Sequence, residues 1–229
     1  MKTPLPTPPS HPQAPPWPAA AVFDFDGELV DSADCWQNAF AEALTQRGRS
    51  LEAELYTALA GASVARAAAL LDVPPDDLRT HLADAFLERE PPLMRGAGAV
   101  IDRLRNRIPL AIATNAPLEL VESTLQHLGL DKSFELISSA ETHPHRDKPS
   151  PDVYSAACQQ LGIDPRNAVA FEDSPIGALA AHRAGLFVVF IPSDGQRTDT
   201  ADLEVEHLDD PKLHQLLRIT TSSLAANDH

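Results

Sequence analysis

The sequence predicts an α/β fold: a Rossmann-like three-layer core around a mostly parallel sheet, with an α-helical domain inserted after the first strand. Five short runs are continuously apolar, as strands covered on both faces must be: "AAAVFDF" (19–25), "IPLAIAT" (108–114), "FELISS" (134–139), "NAVAFED" (167–173) and "LFVVFIP" (186–192). The intervals between the last four leave room for crossover helices, which parallel neighbours require. Residues 34–95, by contrast, are helical in pattern, rich in Ala and Leu, and contain no strand-like run.

In chain order, residues 1–18 carry eight prolines and are expected to be extended or disordered. The first strand follows. Then "DCWQNAFAEALTQRG", "SLEAELYTALAG", "SVARAAALLDV" and "PDDLRTHLADAFLERE" read as four amphipathic helices, and "REPPLMRGAG" returns the chain to the sheet as a Pro/Gly-rich linker. Three later helices share one device, Pro at the start and Gly past the end. "NAPLELVESTLQHLGL" has Pro117 in its first turn and Gly129 beyond its last. "PSPDVYSAACQQLGI" has Ser150 as N-cap, Pro151 and Gly162, and "DSPIGALAAHRAG" has Ser174, Pro175 and Gly185. All three N-termini should face the carboxyl edge of the sheet, where open α/β folds bind ligands. The expected division is a core of 19–33 and 96–217, a helical cap of 34–95, and a loose C-terminal tail of 218–229.

The formal net charge of −15 argues against nucleic acid and anionic membranes as partners, because neither can be neutralised by an acidic surface. An acidic protein with an anionic ligand must bring a local cation, which points to a metal. Cys35 and Cys158 stand apart, with no CxxC, and are expected to be free thiols in a reducing compartment. No run reaches the roughly 18 apolar residues of a membrane span, and the N-terminus lacks a signal-peptide pattern. The expected location is the cytoplasm; oligomeric state is not legible.

"FDFDGELVDS" (23–32) places four carboxylates in ten positions, at the tip of a buried strand. Asp24 and Asp26 are i and i+2, so their side chains leave on the same side. One can act ionised, as nucleophile or metal ligand, while the other serves as general acid. Glu172 and Asp173 end another strand. Two acidic strand ends can converge on a hard, oxygen-seeking cation such as Mg2+. Thr114 and Lys148 belong to the same edge.

The set "DFDGELVDS", "ATN", "KPSPDVY" and "FEDSPIGALAAHRAG", in that order, resembles the haloacid dehalogenase-like phosphohydrolases, and within them the group with a helical cap between the first and second motifs. The resemblance covers about residues 20–192. It implies that Asp24 is the nucleophile that forms an aspartyl-phosphate, and that Asp26 protonates the leaving oxygen and then activates water. It implies that Thr114 hydrogen-bonds the phosphate, with Gly27 and Asn115 beside it, and that Lys148 neutralises it and steadies Asp24. Mg2+ would be held by Asp24, the main-chain carbonyl of Asp26 and Asp173, with Glu172 acting through water. The physics agrees: two unit charges ~4 Å apart repel by roughly 4 kcal/mol at an effective dielectric near 20, and a cation between carboxylate and phosphate reverses the sign.

Three positions depart from the family pattern. Glu28 stands where Thr or an apolar residue is usual, and is expected to turn toward solvent or the base of the cap, paired with Arg or Lys. Trp36 stands where mutases of the β-phosphoglucomutase type carry His, and Val64 where they carry Arg. The resulting expectation is a Mg2+-dependent phosphatase of small monoesters, sugar or polyol phosphates. A sugar phosphomutase and an inactive or phospho-accepting homologue remain as alternatives. His143 and His145 are expected to lie in a solvated loop, and Arg66, Arg79 and Arg89 on solvated faces of the cap.

Overall fold

The computed structural model describes residues 18–142, 146–193 and 195–217. The expected tails, apart from Pro18, and the His143/His145 pair lie outside the described residues. Pro18 itself is buried against the start of the first strand, so the fold begins one residue earlier than expected.

A six-stranded sheet has the order β3-β2-β1-β4-β5-β6, and every pairing in it is parallel. Its strands are β1 (Ala20–Phe23), β2 (Leu110–Thr114), β3 (Leu136–Ser139), β4 (Ala168–Glu172), β5 (Phe187–Phe190) and β6 (Leu203–Glu204). The first five fall inside the five apolar runs. β6 is two residues long and half-exposed, too short to leave an apolar signature.

Between β1 and β2 run α1 (Ala33–Thr45), α2 (Ala53–Leu59), α3 (Val64–Leu71), α4 (Pro75–Arg89) and α5 (Ala97–Leu104). The first four match the four amphipathic patterns. α5 was not read from the sequence and overlaps the expected linker (89–98) in its last two residues: after the turn at Gly96, Ala97, Val100, Ile101 and Leu104 recur at helical spacing and are all buried. The remaining helices are α6 (Leu118–His127), α7 (Asp152–Leu161), α8 (Pro175–Ala184) and α9 (Pro211–Leu216). α8 is capped as expected, Ser174 Oγ accepting from Gly177 N–H at 3.1 Å. α7 is not: Pro151 takes the cap position, and Ser150 Oγ donates to Asp152 Oδ1 at 2.7 Å. Asp152 draws the hydroxyl forward, away from the helix amides that a cap would serve.

Strand alternation sorts the core into two layers. Ala21 and Phe23 face a cluster with α5, α6 and α9 that continues into α1–α4; Ala20 and Val22 face α7 and α8. At the sheet centre Phe23 pairs with Ile112 on one side and Phe171 on the other, its ring stacked on Phe171 at 4.5 Å. Both cysteines are free and buried. No helix among the described residues is long and apolar enough to cross a membrane.

The connections from β1 run toward β2, whereas those from β4 run toward β5 on the other side. The strand order therefore reverses between β1 and β4, and the crevice at their carboxyl ends is where a ligand site is expected in such a sheet.

Candidate active site

Asp24 leaves β1 at that crevice, its N–H donating to Phe171 O at 2.9 Å, and Glu172 and Asp173 leave β4 beside it. The carboxylates of Asp24, Glu172 and Asp173 each present an oxygen within 4.8 Å of the others, and all three residues are buried. Lys148 Nζ lies 2.7 Å from Asp24 Oδ1 and 2.7 Å from Glu172 Oε1. Its ammonium also stands over the ring of Tyr154, 5.1 Å from the centroid. Tyr154 OH donates to Glu172 Oε1 at 2.6 Å, and Ser174 Oγ to Glu172 Oε2 at 3.2 Å. Both oxygens of Glu172 are thus taken by the protein, so its work is to hold Lys148 against Asp24.

Two glycines make this packing possible. A Cβ on Gly177, in the first turn of α8, would lie 1.9 Å from Glu172 Oε1. A Cβ on Gly27 would lie 2.1 Å from Asp173 Oδ2, and Gly27 also needs its φ of 78°. The Gly27 N–H donates to Val30 O at 2.9 Å, within the turn. What Gly27 supplies here is room for Asp173 and a tight bend.

Asp26 stands apart from the acidic cluster. Its Oδ1 accepts from Ser32 Oγ at 2.6 Å and from Trp36 Nε1 at 2.7 Å. The chain after β1 thereby supplies both the acid and the two donors that orient it. Thr114, at the end of β2, is buried and its Oγ1 accepts from Ala116 N–H at 2.9 Å. Asn115 joins three elements: its Nδ2 donates to Gly61 O at 2.7 Å and its Oδ1 accepts from Lys148 N–H at 3.1 Å. Both ends of the amide are engaged, which makes Asn115 a brace between the α2–α3 loop and the lysine loop.

That α2–α3 loop closes over the site. Besides the Gly61–Asn115 bond, Ser63 Oγ donates to Asp147, and Arg79 of α4 pairs with Glu141 at 2.7 Å. Arg79 and Arg89 are therefore in ion pairs, Arg89 with Asp34 at 3.4 Å, rather than simply solvated; Arg66 is exposed as expected.

Glu28 corrects an expectation. It is 1% exposed, and neither carboxylate oxygen has a hydrogen-bond partner. It does not reach solvent or an Arg or Lys at the cap base. The bend at Gly27 and the buried neighbours Leu29 and Val30 carry the side chain inward.

Burial and mutual repulsion leave the cluster short of positive charge. Desolvation and the negative charge of Glu172 push Asp24 up to about 7, although Lys148 pulls it down. Burial and the charges of Asp24 and Glu172 raise Asp173 well above the carboxylate range. Lys148 rises despite its own burial, because Asp24 and Glu172 hold its proton. The two shifts disagree on whether the Asp24–Lys148 pair is ionic. The 2.7 Å contact favours the ion pair, with the excess negative charge falling on the remaining carboxylates. An added cation answers that excess, and oxygen-only donors suit a hard ion. Among the described residues this acidic group is the one able to hold a metal. A cavity of about 500 Å³ between α4 and α6, lined by Leu82, Phe86, Leu87 and Leu120, contains none of these residues.

Tyr154, Ser174, Gly177, Ser32 and, as a donor to Asp26, Trp36 escaped sequence reasoning as parts of the site. Tyr154 stood at the end of the quoted motif "KPSPDVY" but was given no role there. Ser174 was legible only as a cap.

Residues 18–185 match the haloacid dehalogenase-like hydrolase family. The chain belongs to that family, and is an enzyme of the hydrolase class. It is 30% identical over 194 residues to validoxylamine A 7'-phosphate phosphatase of Streptomyces hygroscopicus subsp. limoneus, covering 81% of this chain and 91% of the relative. It is 29% identical over 181 residues to the fructose-1-phosphate phosphatase YqaB of Escherichia coli K12, covering 75% and 95%. Among solved structures, CbbY from Rhodobacter sphaeroides in complex with phosphate aligns with a TM-score of 0.74 and 27% identity, over 83% of this chain and 94% of that one.

Proposed function

We propose that this hydrolase is a Mg2+-dependent phosphatase of small phosphate monoesters, sugar or polyol phosphates, and that it works through an aspartyl-phosphate on Asp24. The observation that carries the reading is the division of labour at one strand end. Asp24 is clamped to Lys148 inside a buried acidic cluster, while Asp26, two residues on, is drawn out of the cluster by Ser32 and Trp36. The two phosphatase relatives support the substrate class.

In this mechanism Asp24 Oδ attacks phosphorus in line with the ester oxygen. The P–O ester bond breaks, and the departing alkoxide takes a proton from Asp26. Water then enters, gives its proton to Asp26, and attacks the acyl phosphate at phosphorus, freeing phosphate and Asp24. Lys148 holds positive charge at the nucleophile through both steps, and Glu172 keeps Lys148 in place. Mg2+, held by Asp24, Asp173 and the carbonyl of Asp26, would supply the positive charge that lets two anions approach. Residues 34–95 would act as a cap that excludes water, and its loop at Gly61–Ser63 would contact the substrate. Trp36 and Val64 favour hydrolysis over phosphomutase chemistry, and the bond from Trp36 to Asp26 gives the tryptophan its own work. The two free, buried cysteines support a reducing compartment, the cytoplasm.

Phosphate release from a panel of sugar and polyol phosphates with Mg2+ tests the proposal. Activity should vanish with EDTA, return with Mg2+, and be absent in Asp24→Asn. Hydrolysis by Asp24→Asn near the wild-type rate would end the covalent mechanism.

A further inference from the structure

The loop between α2 and α3 is fastened to the core by a closed ring of contacts on the lysine side of the crevice. Gly61 O accepts from Asn115 Nδ2 at 2.7 Å, and Asn115 Oδ1 accepts from Lys148 N–H at 3.1 Å. The residue before Lys148, Asp147, accepts through its Oδ2 from Ser63 Oγ, which brings the ring back to the cap loop. Lys148 and Asp147 are thus chain neighbours with opposite destinations. The ammonium goes to Asp24, and the carboxylate goes to the cap.

The polar groups of this ring differ in what they have left to give. Both ends of the Asn115 amide are engaged. Ser63 Oγ donates to Asp147 and accepts from Arg66 N–H at 3.3 Å. Asp147 has used one oxygen only: among the described residues its Oδ1 has no partner, and the residue is half-buried rather than sealed in. The neighbouring cations are committed elsewhere or turned away. Lys148 is shared between Asp24 and Glu172, Arg79 is paired with Glu141, Arg146 lies against Asp152, and Arg66 is exposed.

A phosphate ester bound at Asp24 must run its organic part along the seam between core and cap, because Asp24 is buried and the cap loop lies over it. At Asp147 that seam offers an acceptor and a negative charge. A hydroxyl satisfies it by donating, whereas a carboxylate or a second phosphate has no proton to give and is repelled.

We propose that Asp147 is a specificity-determining residue. Its open oxygen takes a hydroxyl of the substrate's tail, Ser63 holds the carboxylate in the orientation to do so, and its charge refuses substrates that carry a second anion. The inference rests on reading Asp24 and Lys148 as the phosphate site, and it narrows that reading: neutral, polyhydroxylated monoesters are taken, and phosphorylated acids and bisphosphates are not.

The test uses a matched pair of probes, sorbitol 6-phosphate and 6-phosphogluconate. They share one chain and differ at its far end, a hydroxymethyl group in one and a carboxylate in the other. Each is measured as a competitive inhibitor of the best substrate from the phosphate panel, so binding is read whether or not the probe is turned over. Wild type should bind sorbitol 6-phosphate at least about tenfold more tightly than 6-phosphogluconate. Asp147→Asn keeps an acceptor for Ser63 and removes the charge, and should cut that preference to about threefold or less by tightening 6-phosphogluconate. Ser63→Ala loses the contact but keeps the charge, and should weaken both probes while the preference survives. A merely structural Asp147 would shift both affinities together and leave their ratio unchanged. Should the asparagine variant fail to fold, Asp147→Ser serves in the same comparison. Wild type that does not distinguish the two probes, or an Asp147→Asn ratio equal to that of wild type, overturns the proposal while leaving the phosphatase reading intact. Wild type that releases phosphate from no member of the panel overturns both.

Discussion

Asp26 illustrates how much catalytic geometry a few donors control. One of its oxygens accepts from both Ser32 and Trp36, which leaves the other to carry the proton that the mechanism moves. Trp36→Phe keeps the ring and removes the N–H. We expect kcat to fall roughly tenfold to a hundredfold with KM little changed, since misplacement of a reacting group costs rate rather than binding. Trp36→His, which restores a ring donor, should recover part of the loss, and an unchanged kcat in Trp36→Phe would show that Ser32 alone orients the acid. Asp26→Asn itself should lower kcat by about 10²–10⁴. Gly177 makes the same case by sterics. Any side chain there meets Glu172, a carboxylate fixed by three partners rather than the end of a flexible chain. Gly177→Ala should therefore displace the Lys148 clamp and cut kcat/KM by at least tenfold; wild-type kinetics would mean that Glu172 can be moved without consequence.

The α1–α4 insertion meets the core through a continuous apolar cluster, a small set of polar contacts and two chain crossings. At the crossings the outgoing and returning strands pair: Asp31 N–H donates to Pro92 O and Met94 N–H to Leu29 O, both at 2.9 Å. We expect the insertion to pivot about Asp31–Ala33 and Leu93–Gly98, which flank this short hydrogen-bonded ribbon. Farther out, Gly61 O, Ser63 and Arg79 latch to Asn115, Asp147 and Glu141. Arg79 is partly exposed, and such an ion pair contributes only about 0–1 kcal/mol to holding the insertion closed. Proteolysis between Pro91 and Gly98 should slow when Mg2+ and a phosphate analogue are present. Gly61→Ala should have the opposite effect: a Cβ strains the backbone at its φ of 66° and crowds the Ile176 side chain, so the loop's contact with Asn115 should weaken. We expect faster cleavage in the return strand and a higher KM; equal cleavage rates with and without ligand would mean a rigid lid.

Charge dominates the molecule as a whole, and the acidic cluster concentrates it. Asp24 is raised from an ordinary 3.8 to about 7, and Asp173 and Glu28 are raised as well. A raised carboxylate binds its proton more tightly in the folded protein than in the unfolded chain. Its protonation therefore stabilises the fold fully below about 3.8, and this is lost as pH rises through about 7. Metal-free protein should accordingly show a Tm that falls between pH 5 and 8. Mg2+ competes with those protons, so it should raise Tm by several degrees at pH 8 and little at pH 5. A metal-induced shift independent of pH would place the ion away from these carboxylates.

The parallel sheet, its five longer strands and the helical run after β1 were legible because buried parallel strands must be apolar throughout and helices must repeat at 3.6; the order of the strands was not. Asp24, Glu172 and Asp173 were legible as site candidates because charge at the end of an apolar strand has few bland explanations; the roles of Thr114 and Lys148 rested on the family resemblance. β6 and α5 were not: one is too short to show a period, and the other hides behind Pro and Gly. Sequence order alone could not show which partner each polar atom finds. Only the folded chain brings Tyr154 and Ser174 onto Glu172, Trp36 onto Asp26, and Asn115 between Gly61 and Lys148. Glu28 shows the limit most sharply. Its charge reads as a surface residue, and the bend at Gly27 decides otherwise, because burial is a property of the packed chain around a residue and not of the residue.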